Sequence, residues 1–172
     1  MSFTFSDGPL HFANSVAVTI PYTVFLSKNK MGYGRGRHFV LDETSKAQNV
    51  ISQLILYEMR IQDKKFYPGK VWVNLFIEKP MLRVDAVNFV DRISDAIQDA
   101  IGINDYMYSL ACVDWIVRKD NPKINIRISQ EFNAPSAFCE SCLQWKLIDH
   151  EFRKPNQKKI NKICSMCRAI DV

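Results

Sequence analysis

The 172 residues contain no apolar run near the roughly 18 residues that a membrane-spanning helix needs. No membrane partner is therefore expected. The opening residues, "MSFTFSDGPLHF", lack the basic start and apolar stretch of a signal peptide, so the expected compartment is the cytoplasm. No internal repeat or low-complexity segment is present, which argues against a solenoid or a disordered tail. Cysteine is sparse, at five residues, and unevenly used: Cys112 stands alone, while Cys139, Cys142, Cys164 and Cys167 form two close pairs. In a reducing compartment such pairs point to metal rather than disulfides.

The hydrophobic fraction of 47% and charged fraction of 24% are ordinary for a globular chain with a real core. The length suits one domain, or one domain with a small appendage. Acid is the scarcer sign, with 18 Asp+Glu against 23 Lys+Arg, a net charge of +5. A pI near 9.0 favours nucleic acid as partner. The negative charge is concentrated: residues 84–105, "VDAVNFVDRISDAIQDAIGIND", sum to −4 and leave the other 150 residues at +9.

"SVAVTIPYTVF" (15–25) is β-branched and aromatic and reads as a strand. The Gly-punctuated basic loop "LSKNKMGYGRGRHFVL" follows and runs into a short extended piece. Residues 43–63 carry Val50, Leu54, Met59 and Ile61 near helical spacing, and "KVWVNLFIE" (70–78) alternates as a strand. The acidic segment is an amphipathic helix. Phe89, Ile93, Ala96, Ile97 and Ala100 define its buried face, and Asn88, Asp91, Asp95 and Asp99 its polar one. Asp85 suits the N-cap and Gly102 the stop. "LACVDWIVRK" (110–119) and "KINIRISQ" (123–130) are strands, with Asn121-Pro122 placed for a hairpin turn. The expected fold is an α/β sandwich in the order strand-helix-strand-helix-strand-strand. A C-terminal unit follows it.

Aspartates on the outer face of a helix can be solvated surface and nothing more. Here Asp91–Asp95 and Asp95–Asp99 are like-charge pairs four apart, each costing roughly 0.2–0.5 kcal/mol, with no lysine spaced to relieve them. A divalent cation would offset that repulsion, and hard oxygen ligands suit Mg²⁺. Carboxylate-bound metal within a basic surface is what phosphodiester hydrolysis requires. The basic residues hold the backbone while the metal activates water and stabilises the leaving oxygen.

Residues 15–131 resemble the RusA-like Holliday junction resolvases of bacteria and phages. The resemblance runs through "VAVTIPYTVFLSKNK", "RVDAVNFVDRISDAIQDAIGIND" and the closing hairpin "VDWIVRKDNPKINIRIS". It implies a homodimeric, Mg²⁺-dependent endonuclease that nicks opposed strands of a four-way DNA junction, in recombination, repair or phage DNA processing. Asp85 matches the catalytic aspartate before the helix, Asn88 the Asn after it, Asp95 the mid-helix Asp, and Asp105 the aspartate beyond the helix. Where well-known members have a second Asp before the Asn, this chain has Val87. Where they have a lysine three residues after the Asn, it has Asp91. Asp91 would restore the carboxylate and Arg92 the cation, so the expected Mg²⁺ ligands are Asp85, Asp91 and Asp105. The same departures fit a protein that binds branched DNA without cutting it. The basic loop, with Lys28, Lys30, Arg35, Arg37 and His38 between glycines, resembles the family's DNA-contacting loop; glycines let a chain follow a phosphate backbone closely.

"CESC" and "CSMC" are separated by 21 residues. Two Cys-x-x-Cys turns present four thiolates to one tetrahedral Zn²⁺, giving a closed, structural site from Cys139, Cys142, Cys164 and Cys167. The segment resembles small zinc knobs of phage proteins. The expected organisation is a RusA-like nuclease domain at 1–133 and a zinc knob at 134–172, the knob too small to fold without its metal. His150 is expected on the surface and Cys112 in the core. A zinc adaptor contacting protein or RNA is the reading that leaves the aspartates without a role.

Overall fold

The computed structural model describes residues 12–23, 31–34, 37–40, 42–148 and 162–170. A four-stranded sheet has the order β1-β6-β4-β5, from β1 (Asn14–Pro21), β4 (Val71–Lys79), β5 (Tyr108–Val117) and β6 (Lys123–Gln130). β6 runs antiparallel to both β1 and β4, and β4 runs parallel to β5. Parallel neighbours need a crossover. Here it is α2 (Val90–Ile101), while α1 (Asp42–Ile61) follows the small β2–β3 ribbon, Met31–Gly34 with Arg37–Val40. Among the described residues no helix is long and apolar enough to cross a membrane.

Period-two alternation decides which face of the sheet is covered. Val16, Val18 and Ile20 of β1, Val71, Val73, Leu75 and Ile77 of β4, and Ile124, Ile126 and Ile128 of β6 share one face and are buried. Ile51 and Ile55 of α1, and Phe89, Ile93, Ala96 and Ile97 at α2, close over them. Each buried aliphatic side chain contributes about 1.5–3 kcal/mol of transfer free energy. Cys112 joins the margin of this core, half-buried, and burial raises its thiol pKa.

The α/β fold and its element order agree with the sequence reading, with three differences. The strands either side of Asn121-Pro122 do not form a hairpin, because β4 lies between them. The turn instead spans the end of β4: Arg118 N–H donates to the Lys79 carbonyl at 2.8 Å, and Lys123 N–H to Glu78 Oε2 at 3.1 Å. The basic loop holds the β2–β3 ribbon rather than a single extended piece. Asp85 is not the cap of α2. It precedes a 3₁₀ turn (Ala86–Phe89), and Phe89 stands at the cap position without a side-chain bond. The helix expected from Val50, Leu54, Met59 and Ile61 is α1, with Val50 and Ile61 themselves 56% and 62% exposed, because Ile51 and Ile55 take the core positions.

The C-terminal unit pairs β7 (Ser136–Phe138) with β8 (Trp145–Leu147) and ends in α3 (Ser165–Ile170). It is tied to the sheet domain where Ser136 N–H donates to the Pro68 carbonyl at 2.8 Å. The chain approaches so closely there that a Cβ at Gly69 would overlap the Ser136 hydroxyl, and Gly69 sits at φ +150°. Gly69→Ala is accordingly expected to lower stability by about 1–3 kcal/mol, read as a reduced denaturation midpoint. An unchanged midpoint would show that this approach does not constrain the fold.

Candidate functional site

α2 is amphipathic, so burying its apolar face fixes where its aspartates point. Asp91 and Asp99 are exposed, and Asp95 is half-buried between them along the same side. Gly102 ends the helix at φ 68°, its N–H bonded to the Gln98 carbonyl at 2.9 Å. That left-handed stop turns the chain back so that Asp105, opening a second 3₁₀ turn, returns toward the helix. Gln98 Oε1 accepts from the Asp105 N–H at 3.1 Å and holds the turn, while Asn104 caps it through Tyr106 N–H.

The electrostatics register the convergence. Burial raises the Asp95 carboxyl above its ordinary pKa. Arg92 opposes this by charge and hydrogen bond, and the charges of Asp105 and Asp99 raise it further. Tyr108 is raised by burial first and then by the same two aspartates, and its hydroxyl donates to the Ile103 carbonyl at 2.7 Å. The charges of Asp99 and Asp105 thus act on Asp95, although the three carboxylates are not a group of ligand atoms within 4.8 Å of one another. Two contacts relieve this repulsion. Arg92, its side chain 14% exposed, reaches Asp95 at 3.3 Å, and Gln48 of α1 donates to Asp99 at 2.8 Å. Among the described residues the buried Arg92 Nε has no hydrogen-bond partner. Gln48 and Gln98 could not be found from sequence, because each acts through tertiary placement rather than through a local motif.

The other expected residues are placed as follows. Asp85 is exposed, and its carbonyl accepts the Asn88 N–H at 3.3 Å across the 3₁₀ turn in which Asn88 is half-buried. Asp91 lies in the first turn of α2. Asp85, Asp91 and Asp105 are not a group of ligand atoms within 4.8 Å of one another; among the described residues the four cysteines are. Lys28, Lys30, Arg35 and His150 lie outside the described residues. Arg37 and His38 lie on β3.

The cysteine cluster is built from the hairpin turn and the start of α3. Cys139 N–H bonds the Gln144 carbonyl at 2.9 Å, and Leu143 takes φ 57° to close the turn. Cys139 and Cys164 are buried, and Cys142 and Cys167 are half-buried. A tetrahedral ion with metal–sulfur bonds of about 2.3 Å sets its sulfurs roughly 3.8 Å apart. The Cys139 and Cys167 sulfurs are 4.0 Å apart, so the donor set fits a metal such as zinc. Backbone N–H groups, Cys142 first and then Cys164 and Ser141, lower the Cys139 thiol to about 6 against the opposing effect of burial. Cys142 is pushed up to about 11, by burial and then by hydrogen bonds with the neighbouring thiols. Lys146 Nζ lies 3.5 Å from the Cys164 sulfur, where it offsets the negative charge of a four-thiolate site.

No family model matches the chain, and no curated protein matches it.

The raised Asp95 carboxyl has a defined pH signature. A folded-state pKa above the unfolded one means that the native state holds its proton longer. This contribution is complete below the unfolded pKa and is lost as pH rises through the folded pKa. Chemical denaturation between pH 3 and pH 7 is expected to show a downward component in this window for the wild type and its loss in Asp95→Asn. Identical pH profiles for the two proteins would contradict the assignment.

Proposed function

We propose that this chain is a Mg²⁺-dependent endonuclease that resolves four-way DNA junctions by paired nicking. The observation that carries the reading is the half-buried Asp95, with Asp99 and Asp105 acting on it from the helix and from the turn beyond. Two carboxylates whose charges act on a third, beside a mostly buried arginine, are a charge arrangement that a divalent cation relieves. Asp105 and Asp95 would supply oxygens to the cation, with Asp91 and Asp85 on the N-terminal side of the same helix. Arg92 would face the phosphate, and Asn88 would orient the turn. Bound Mg²⁺ would lower the pKa of a water and stabilise charge on the leaving oxygen. The basic remainder of the chain fits a polyanionic partner. Family resemblance adds the homodimer and the branched substrate, and a bacterial or phage setting.

One observation favours a second reading, a junction-binding protein that does not cut: neither Asp85, Asp91 and Asp105 nor Asp95, Asp99 and Asp105 are gathered into one ligand group among the described residues. Incubating the full chain with labelled four-way junction and Mg²⁺ separates the two. Paired symmetric nicks are expected, and Asp105→Asn is expected to reduce cutting on the order of 100-fold or more while junction binding stays equal or tightens. Binding without nicks would establish the second reading. No preference for branched over linear DNA would overturn both and leave a zinc adaptor.

We further propose that the ion at Cys139, Cys142, Cys164 and Cys167 is zinc, structural and closed to substrate. Ligand thiols must be deprotonated, so zinc affinity is expected to fall as pH is lowered and zinc binding to release protons. Calorimetry in buffers of different ionisation enthalpy measures this, with loss of the zinc in Cys139→Ser and Cys164→Ser as the companion result. Stoichiometric zinc retained by both variants, or binding with no proton release, would contradict the assignment.

A further inference from the structure

Met81 and Leu82, adjacent in the loop that leaves β4, are 57% and 68% exposed. One exposed apolar side chain is ordinary on a protein surface. This pair differs because the backbone beneath it is clamped at both ends. Pro80 ends the ladder of β4. Met81 to Val84 then form a turn closed by the Val84 N–H on the Met81 carbonyl at 3.3 Å, and Val84 packs against the core. On the other side Lys79 is 4% exposed, and its Nζ donates to the Leu82 carbonyl at 3.2 Å. The same ammonium lies 3.4 Å from the centroid of the Trp115 ring. Among the described residues no carboxylate forms an ion pair with it. Burying an ammonium is costly, and here an indole face and one loop carbonyl offset that cost. The buried charge is thereby tied to holding the apolar tip in place.

We propose that Met81 and Leu82 are a wedge that enters the base stack at the branch point of DNA. The proposal rests on the branched-DNA reading above and supplies the source of its selectivity. Asp85, the first candidate carboxylate, follows Leu82 by three residues, so a tip seated between bases keeps DNA beside the acidic helix. Arg83 shares the corner of the turn with Leu82 and is exposed, placed for a flanking phosphate. Met and Leu side chains part base steps by replacing stacking with apolar contact. Unstacking costs least where pairing is already interrupted. A wedge therefore favours a branch point over continuous duplex without reading any sequence. A protein partner is a poorer occupant, because a stable interface buries about 800 Å² on each side, far more than two side chains on a turn present. Nor does charge select an anionic lipid surface. At this end Arg83, Arg118, Lys119 and Lys123 stand against Glu78, Asp85 and Asp120, with Glu78 paired to Arg118 at 3.0 Å.

2-Aminopurine placed at the branch point of a four-way junction reports unstacking as a rise in fluorescence. With the full chain bound and no Mg²⁺ added, the wild type is expected to raise that signal about two-fold or more, and not to raise it for the same base in linear duplex. Met81→Ser combined with Leu82→Ser is expected to remove the rise and to weaken junction binding about 10-fold, with unchanged far-ultraviolet circular dichroism. Leu82→Met, which keeps an apolar tip, is expected to retain both. If the double variant fails to fold, Leu82→Ser decides alone. A bound wild type that gives no rise, or a folded serine variant that keeps it, overturns the wedge. Paired nicks without the rise would overturn the wedge and leave the nuclease. A rise without nicks would overturn the nuclease and leave the wedge.

Discussion

Burial of Ile93, Ala96 and Ile97 against the sheet is the constraint on which the rest of the candidate site depends. An amphipathic helix seated by that face has no freedom to choose where Asp91, Asp95 and Asp99 point. The parallel pairing of β4 with β5 demands a crossover, and α2 is that crossover. Its C-terminal stop at Gly102 then sends the chain back toward β5 and brings Asp105 beside the acidic face. Hydrophobic burial and strand pairing thus set Asp95, Asp99 and Asp105 near enough for their charges to act on one another. Arg92 and Gln48 meet part of that repulsion, and in the proposed function a cation would meet the remainder.

The two ends of the molecule solve the problem of concentrated negative charge differently. At α2 the acids are hard oxygens, partly exposed, suited to a cation that keeps water and exchanges ligands. At the cysteine cluster the donors are four cysteine sulfurs within 4.8 Å of one another, with backbone N–H groups and Lys146 turned toward sulfur. Four protein donors would leave a tetrahedral ion no open position, which would suit a site that shapes a fold rather than performs chemistry. The short approach at Gly69 and Ser136 joins this unit to the sheet domain.

Much of this was legible in the sequence, and the physical reason is local periodicity. β6 and the buried face of α2 follow directly from alternation and from three- and four-residue spacing. The two Cys-x-x-Cys turns declared their cluster because ligand spacing is itself local. What failed was long-range. Asn121-Pro122 has the chemistry of a hairpin turn, yet turn chemistry does not say whether a third strand lies between the flanking two, and β4 does. Val50 and Ile61 sit at helical spacing as credibly as Ile51 and Ile55, and only the position of the sheet decides which set is buried. Gln48 meets Asp99 from another helix, 51 residues away in sequence, beyond the reach of any window.

The proposed function requires that the acidic face of α2 and Asp105 together hold a divalent cation. Titration of the full chain with Mn²⁺, followed by paramagnetic broadening of backbone amide signals, tests it most directly. Saturable broadening centred on Asp95, Asp99 and Asp105, reversed by excess Mg²⁺, is the expected result. Broadening spread evenly over surface carboxylates, or confined to acids elsewhere, would contradict the account.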